Sequence, residues 1–241
     1  VSAMGQLDTL LDVRASGRIG PDGQVRRLDV ETRAGAGTFR LEKVLPESIE
    51  FEGFAFKAKI RNGFDGISIK SGSVDFGGPE LAFEISANRI GDKIRARIDA
   101  DLRNMEMAGL SRYWPVNLGT SARRWTTQNI RTGKVDEGKL GLVLELPVDD
   151  PLNPQIQSIT GTLEYSGLDV RYFEAFPKVT GVVGTATFSG DRFDLDILRG
   201  NLQNIALDHG VVHMTQLDTD REQIAIDLVV RGPLVTALEL V

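Results

Sequence analysis

Ile94-Arg95-Ala96-Arg97-Ile98-Asp99-Ala100-Asp101-Leu102 alternates without a break between apolar and charged or small side chains. Successive side chains of a β-strand point to opposite sheet faces, so this stretch predicts a strand with one greasy face and one charged face. Leu140, Leu142, Leu144, Leu146 and Val148 repeat the scheme, as do Leu81, Phe83 and Ile85. Phe193, Leu195 and Ile197, then Ile224, Ile226, Leu228 and Val230, complete the set. Turn signals separate the runs: Pro21-Asp22-Gly23, Arg61-Asn62-Gly63, Gly77-Gly78-Pro79, Ser189-Gly190-Asp191 and Arg231-Gly232-Pro233. Glycine and asparagine supply the positive φ angles of tight hairpins, so neighbouring strands should pair antiparallel. About a dozen strands are expected at this spacing. The chain is predicted to be all-β.

Glycine opens a loose internal repeat at Gly17, Gly72, Gly138, Gly161 and Gly184, each followed two positions on by an apolar residue. Either glycine simply ends a turn at each, or an elongated sheet is built from repeated hairpins. One segment breaks the alternation. Leu118, Ala122 and Trp125 are spaced i, i+4, i+7, with Thr120 or Ser121 as N-cap and Gly133 beyond the end, so 120–130 reads as a short helix. A further turn or two of helix is expected over Asn104 to Leu110, ahead of Trp114-Pro115. Pro147, Asp149, Asp150, Pro151 and Pro154 read as a long connection rather than a domain boundary. The expected subdivision is β repeats over 1–103, a helical insert or cap over 104–134, and β repeats over 135–241.

The chain has 241 residues, a net charge of −6 and no cysteine. The absence of cysteine excludes disulfides, thiolate metal sites and a cysteine nucleophile. An acidic balance argues against nucleic acid, which needs clustered Lys and Arg. No apolar run reaches the ~18 residues of a membrane-spanning helix, and no signal peptide opens the chain. Both ends fall within apolar patterns (Val1; Leu240-Val241) and are read as cuts, which places any anchor outside this chain.

Chemistry finds few candidates. His209 and His213 lie four apart in a strand-like stretch, on one face but well separated, so a surface or lining role is preferred to a metal site. Asp149-Asp150 and Asp218-Thr219-Asp220 lack the ligand spacing of a calcium loop. Glu50/Glu52 and Asp194/Asp196 fall on the polar side of strands. Nucleophile elbows and phosphate loops are missing, and Gly35-Ala36-Gly37 precedes a strand rather than a helix. No catalytic residue, metal or cofactor is nominated, and the chain is not expected to be an enzyme. The most unusual stretch joins Arg112, Tyr113, Trp114 and Pro115 to Arg123, Arg124, Trp125, Arg131 and Lys134. Such residues could meet a membrane surface. A cap is preferred, with Trp125 plugging an end or edge of the sheet and the arginines solvated, because edge strands need covering.

Tyr113-Trp114-Pro115, Ala122-Arg123-Arg124-Trp125, Asn129-Ile130 and Gly133-Lys134-Val135 resemble the signature of the AsmA-like superfamily, in particular the central domain of YhdP-type envelope proteins. Downstream, Gly161-Thr162-Leu163-Glu164-Tyr165, Val170-Arg171-Tyr172, Phe176-Pro177, the strand start from Gly181 to Gly184, Asp191-Arg192-Phe193 and Gly232-Pro233-Leu234 follow the same order. The resemblance covers about residues 100–241. Residues 1–99 share only the strand style.

The resemblance implies a periplasmic, inner-membrane-anchored protein whose long, curved antiparallel sheet forms an open, apolar groove (a taco-like section). It also implies a role in moving phospholipid towards the outer membrane and maintaining its barrier. Physically, each buried CH₂ contributes ~0.8 kcal/mol, so a greasy trough holds an acyl chain without a specific site. The lining candidates are Phe83, Ile85, Ile98, Leu142, Leu144, Phe193, Leu195, Ile226 and Leu228; Trp114, Arg123, Arg124 and Trp125 are the cap or surface candidates. The expected ligand is a phospholipid or another acyl chain, and a truncated sheet is expected to self-associate through its edges. The alternative is a closed β-sandwich scaffold of the envelope, with no lipid inside.

Overall fold

The structure is a computed structural model that describes residues 6–42, 44–151, 153–172, 177–217, 219, 221 and 223–233. Val1, Phe176, Asp218, Asp220, Leu234, Leu240 and Val241, which entered the sequence reading, lie outside the described residues. In chain order the strands begin with β1 (Gln6–Asp8), β2 (Leu11–Ile19), β3 (Val25–Ala34), β4 (Gly37–Arg40), β5 (Ile49–Phe51) and β6 (Gly53–Arg61). Next come β7 (Gly66–Asp75), β8 (Glu80–Ile90) and β9 (Lys93–Glu106), then the helices α1 (Leu110–Tyr113) and α2 (Thr120–Asn129). The chain returns to strands with β10 (Ile130–Pro147), β11 (Gln155–Val170), β12 (Val179–Ser189), β13 (Arg192–Leu202), β14 (Ile205–Thr215) and β15 (Gln223–Arg231).

Twelve of these strands form one open antiparallel sheet in the order β15-β14-β13-β12-β11-β10-β9-β8-β7-β6-β3-β2, which closes into no barrel. Hairpin follows hairpin, as the turn chemistry predicts; Gly23, Gly63 and Gly91 take positive φ at three of the bends. A second, small sheet of β1-β4-β5 is an excursion between β3 and β6. It buries Ile49 and Phe51, and the Phe51 ring meets Phe54 edge-on at 5.3 Å.

The chain divides into two compact units. One takes the described residues of Val1–Leu102, Arg112–Leu118 and Lys139–Ile159, and the other those of Arg103–Ser111, Gly119–Gly138 and Thr160–Val241. In the first unit, Ala96, Leu142 and Leu144 form a closed cluster, with Ala87, Ile98, Leu140, Leu146, Ile159 and Leu118 packed on it. Leu118 comes from outside the sheet. Its segment is held by the 2.9 Å ion pair Arg112–Glu47, by the Val116 amide donating to the Val44 carbonyl, and by Tyr113 against the Phe76 ring.

In the second unit, Met105, Tyr165, Leu168, Val182, Ala186, Ile205 and Leu207 are buried strand residues. Burial pushes the Tyr165 phenol up to about 12, with Asp196 adding to the shift. On the opposite face, the Arg192 guanidinium and then the His213 ring hold the Asp194 carboxyl below the usual carboxylate range.

The repeated glycines end no turns. Gly17, Gly72, Gly138, Gly161 and Gly184 all lie inside strands, on or beside the apolar face. Packing gives the reason at two of them. A Cβ on Gly72 would collide with the Phe83 ring of the neighbouring strand, and one on Gly184 with the Asp196 carbonyl and the Tyr165 hydroxyl. Glycine makes room for a large cross-strand partner.

The helical region departs from expectation in three ways. Residues 104–106 continue β9, so only a 3₁₀ turn over Met107–Gly109 and α1 precede Trp114. The N-cap of α2 is Gly119 in a left-handed conformation, not Thr120 or Ser121. Gly133 is not a helix terminator: it lies within β10 at φ +86°, where a Cβ would strike the Gly167 backbone of β11.

Candidate functional site

Register aligns the alternating residues into rows that cross each unit at right angles to its strands. In the first unit Ala15, Val30, Ala58, Ile69 and Ile85 stand directly opposite one another on five successive strands. Beside them run Val13, Thr32, Phe56, Gly72 and Phe83. In the second unit one row is Leu163, Ala186, Leu195, Val212 and Ile226. The rows on either side of it are Gly161, Phe188, Phe193, Met214, Ile224 and Tyr165, Gly184, Ile197, Gly210, Leu228. Cross-strand neighbours stand about 5 Å apart, so each row is a largely apolar strip about 20 Å long, interrupted by Thr32 in one row of the first unit.

These strips differ in how far they are covered. Leu142 and Leu144 are 4% and 8% exposed and belong to the closed cluster under Leu118. Phe83, Ile85, Ile98, Phe193 and Leu195 are half-buried. Ile226 and Leu228, on the outermost strand of the sheet, are 54% and 38% exposed, and Leu11 and Val13 on β2 at the other end are 48% and 52% exposed. Among the described residues no large side chain is fully sealed. On the two outermost strands the apolar surface therefore meets solvent instead of a second protein layer.

The aromatic–arginine segment is arranged differently from a plug. Trp114 is half-buried, and its indole N–H donates to the Leu118 carbonyl at 2.8 Å. Arg123 is half-buried and donates to the Ser111 carbonyl at 2.9 Å. Thr126 and Thr127 are also half-buried, whereas Ala122, Arg124 and Trp125 face solvent, Trp125 at 41%. The helix turns its polar side towards the protein. Its first turn is anchored by a guanidinium–carbonyl bond, which outweighs the weak pull of a single apolar stripe.

Sequence periodicity grouped Leu118 with Ala122 and Trp125, but only Leu118 packs inward, because Gly119 takes a left-handed turn between it and the helix. Among the described residues no group of three His, Cys, Asp or Glu side chains is placed to hold a metal. His213 bonds Asp194 at 2.6 Å on the polar face. No helix among them is long and apolar enough to cross a membrane.

The fold defines the class: an all-β protein built on one open antiparallel sheet whose apolar face is only partly covered by its own chain. Comparison with family models matches residues 21–241 to the YhdP protein family, and the chain belongs to that family of envelope proteins. No curated protein and no solved structure matches it.

Proposed function

We propose that this chain is a non-enzymatic segment of a bridge-like lipid-transfer protein. Its apolar strips carry phospholipid acyl chains between inner and outer membranes and so support the outer-membrane barrier. The segment works in the periplasm, and the membrane anchor is supplied by segments outside this chain. The observation that carries this reading is the exposure of the strips at Ile226, Leu228, Leu11 and Val13. A water-soluble β-protein normally covers such a face. An acyl chain of about sixteen carbons is about 20 Å long, and at ~0.8 kcal/mol per CH₂ it gains affinity without specific contacts. Half-buried Phe83, Ile85, Ile98, Phe193 and Leu195 would share the lining, with Leu142 and Leu144 as the floor beneath Leu118. The head group would stay in water, so no catalytic residue is required.

The test places a photo-crosslinker at Leu228 and compares Ile226→Asp with Ala225→Asp. Both substitutions lie on β15, but they point to opposite faces. Ile226→Asp should lower phospholipid crosslinking about tenfold or more while Ala225→Asp leaves it unchanged; equal crosslinking in both removes the proposal.

The closed cluster of Ala96, Leu142, Leu144 and Leu118 is the feature that favours the rival reading, an envelope scaffold with a dry core. Organic extraction of the purified protein separates the two: co-purified phospholipid supports transfer, and its absence supports the scaffold.

A further inference from the structure

The face opposite the apolar strips carries charge in an arrangement that strand pairing alone does not favour. Arg18 of β2 stands directly opposite Arg27 of β3, which stands directly opposite Arg61 of β6. Three guanidinium groups thus share one cross-strand row, and all three residues are exposed. Like charges directly opposite one another destabilise a sheet. The adjacent row is Ser16, Asp29 and Lys59, adding a fourth cation and one acid. Asp29 is bonded by Arg27 through both oxygens, at 2.6 and 3.0 Å, and Arg27 is the first cause of its lowered pKa, with Lys59 and Arg61 contributing. Among the described residues, no ion pair or hydrogen bond engages the side chains of Arg18, Lys59 or Arg61. The four cations carry one counter-charge between them, in a chain whose net charge is −6. Elsewhere on this face the ion pairs are two cations to one acid: Arg33 and Lys57 share Glu31, and Lys93 and Arg95 share Glu145.

We propose that Arg18, Arg27, Lys59 and Arg61 form a binding site for a phosphate group. Guanidinium groups are planar forks of N–H donors that pair with phosphate oxygens two at a time. The β-bulge after Arg18 falls at the end of β2, so the row stands beside the 20–24 hairpin. A phosphate dianion offsets two of the three excess positive charges and relieves the repulsion of the row. The site lies on the polar face and does not depend on the lipid-transfer reading. Its phosphate could come from free solute or from a lipid head group at a bilayer surface.

The experiment follows the arginine Nε–Hε NMR signals of the full chain during titration with inorganic phosphate, against sodium chloride at matched ionic strength. Phosphate should shift the Arg18, Arg27 and Arg61 signals saturably, and Arg61→Gln should weaken binding about tenfold. Arg61→Gln should also melt no lower than the parent protein, because it removes a like-charge neighbour; Arg18→Gln tests the same point from the other end of the row. Sedimentation with phosphatidylcholine vesicles, with and without phosphatidic acid, identifies the source. Capture by the acidic vesicles assigns a lipid phosphate, and phosphate binding without capture assigns a solute. Chloride shifts equal to those with phosphate, or unchanged phosphate binding in both glutamine variants, overturn the site.

Discussion

Leu142 and Ile226 occupy equivalent places in the alternating pattern, yet they do different work. Leu142 is 4% exposed and packs in a closed cluster, while Ile226 is 54% exposed on an outermost strand. Truncating a buried leucine removes contacts and leaves a cavity, so Leu142→Ala should cost about 2–5 kcal/mol. Ile226→Ala leaves no cavity and should cost under about 1 kcal/mol. Urea unfolding of the two variants checks the contrast, and equal losses would mean that Ile226 is core. Tyr165 belongs with Leu142: its phenol, pushed up to about 12 by burial, stays neutral while ordinary tyrosines ionise. A raised pKa contributes stability that is present below the ordinary tyrosine value near 10 and lost as pH climbs through about 12.

Between residue and sheet stands α2, whose orientation reverses the one its apolar spacing implies. Trp125 is 41% exposed, whereas Trp114 is half-buried and hydrogen-bonded to Leu118. Acrylamide should therefore quench Trp125 more than Trp114, as read by comparing the parent with Trp125→Phe. Trp125→Ala should change the unfolding free energy by about 0.5 kcal/mol or less, the range of surface substitutions. A true plug would lose about 3–5 kcal/mol, and a loss of that size would restore the packed orientation. The strap from Arg112 to Leu118 performs the covering role instead, and it covers only the cluster around Leu142.

Across the whole molecule, the open ends of the sheet are the feature with the largest consequence. Among the described residues, β2 and β15 each have one neighbouring strand, and all nine residues of each are exposed. Unpaired edge strands with an apolar face recruit further strands. Purified chain is expected to self-associate with rising concentration in sedimentation velocity, and Ala225→Lys with Val229→Lys should return it to monomer. A parent protein that stays monomeric throughout would show that both edges are protected.

The alternation of Ile94 to Leu102, of Leu140 to Leu146 and of Ile224 to Val230 by itself determined an antiparallel β architecture, because a period of two has only one regular structure that it serves. The turn pairs determined the hairpin order, and the motifs around Trp114 and Trp125 pointed to the family that the comparison then gave. Which apolar residues are sealed and which are open was decided only in three dimensions. Periodicity assigns a side chain to a face, but cover depends on what else reaches that face: Leu118, brought from outside the sheet, packs on the cluster that buries Leu142, whereas Ile226 stays 54% exposed. The arginine row was equally invisible in the sequence. Arg18 and Arg27 flank one hairpin, but Arg61 lies far along the chain from both, and the three are aligned only by strand register.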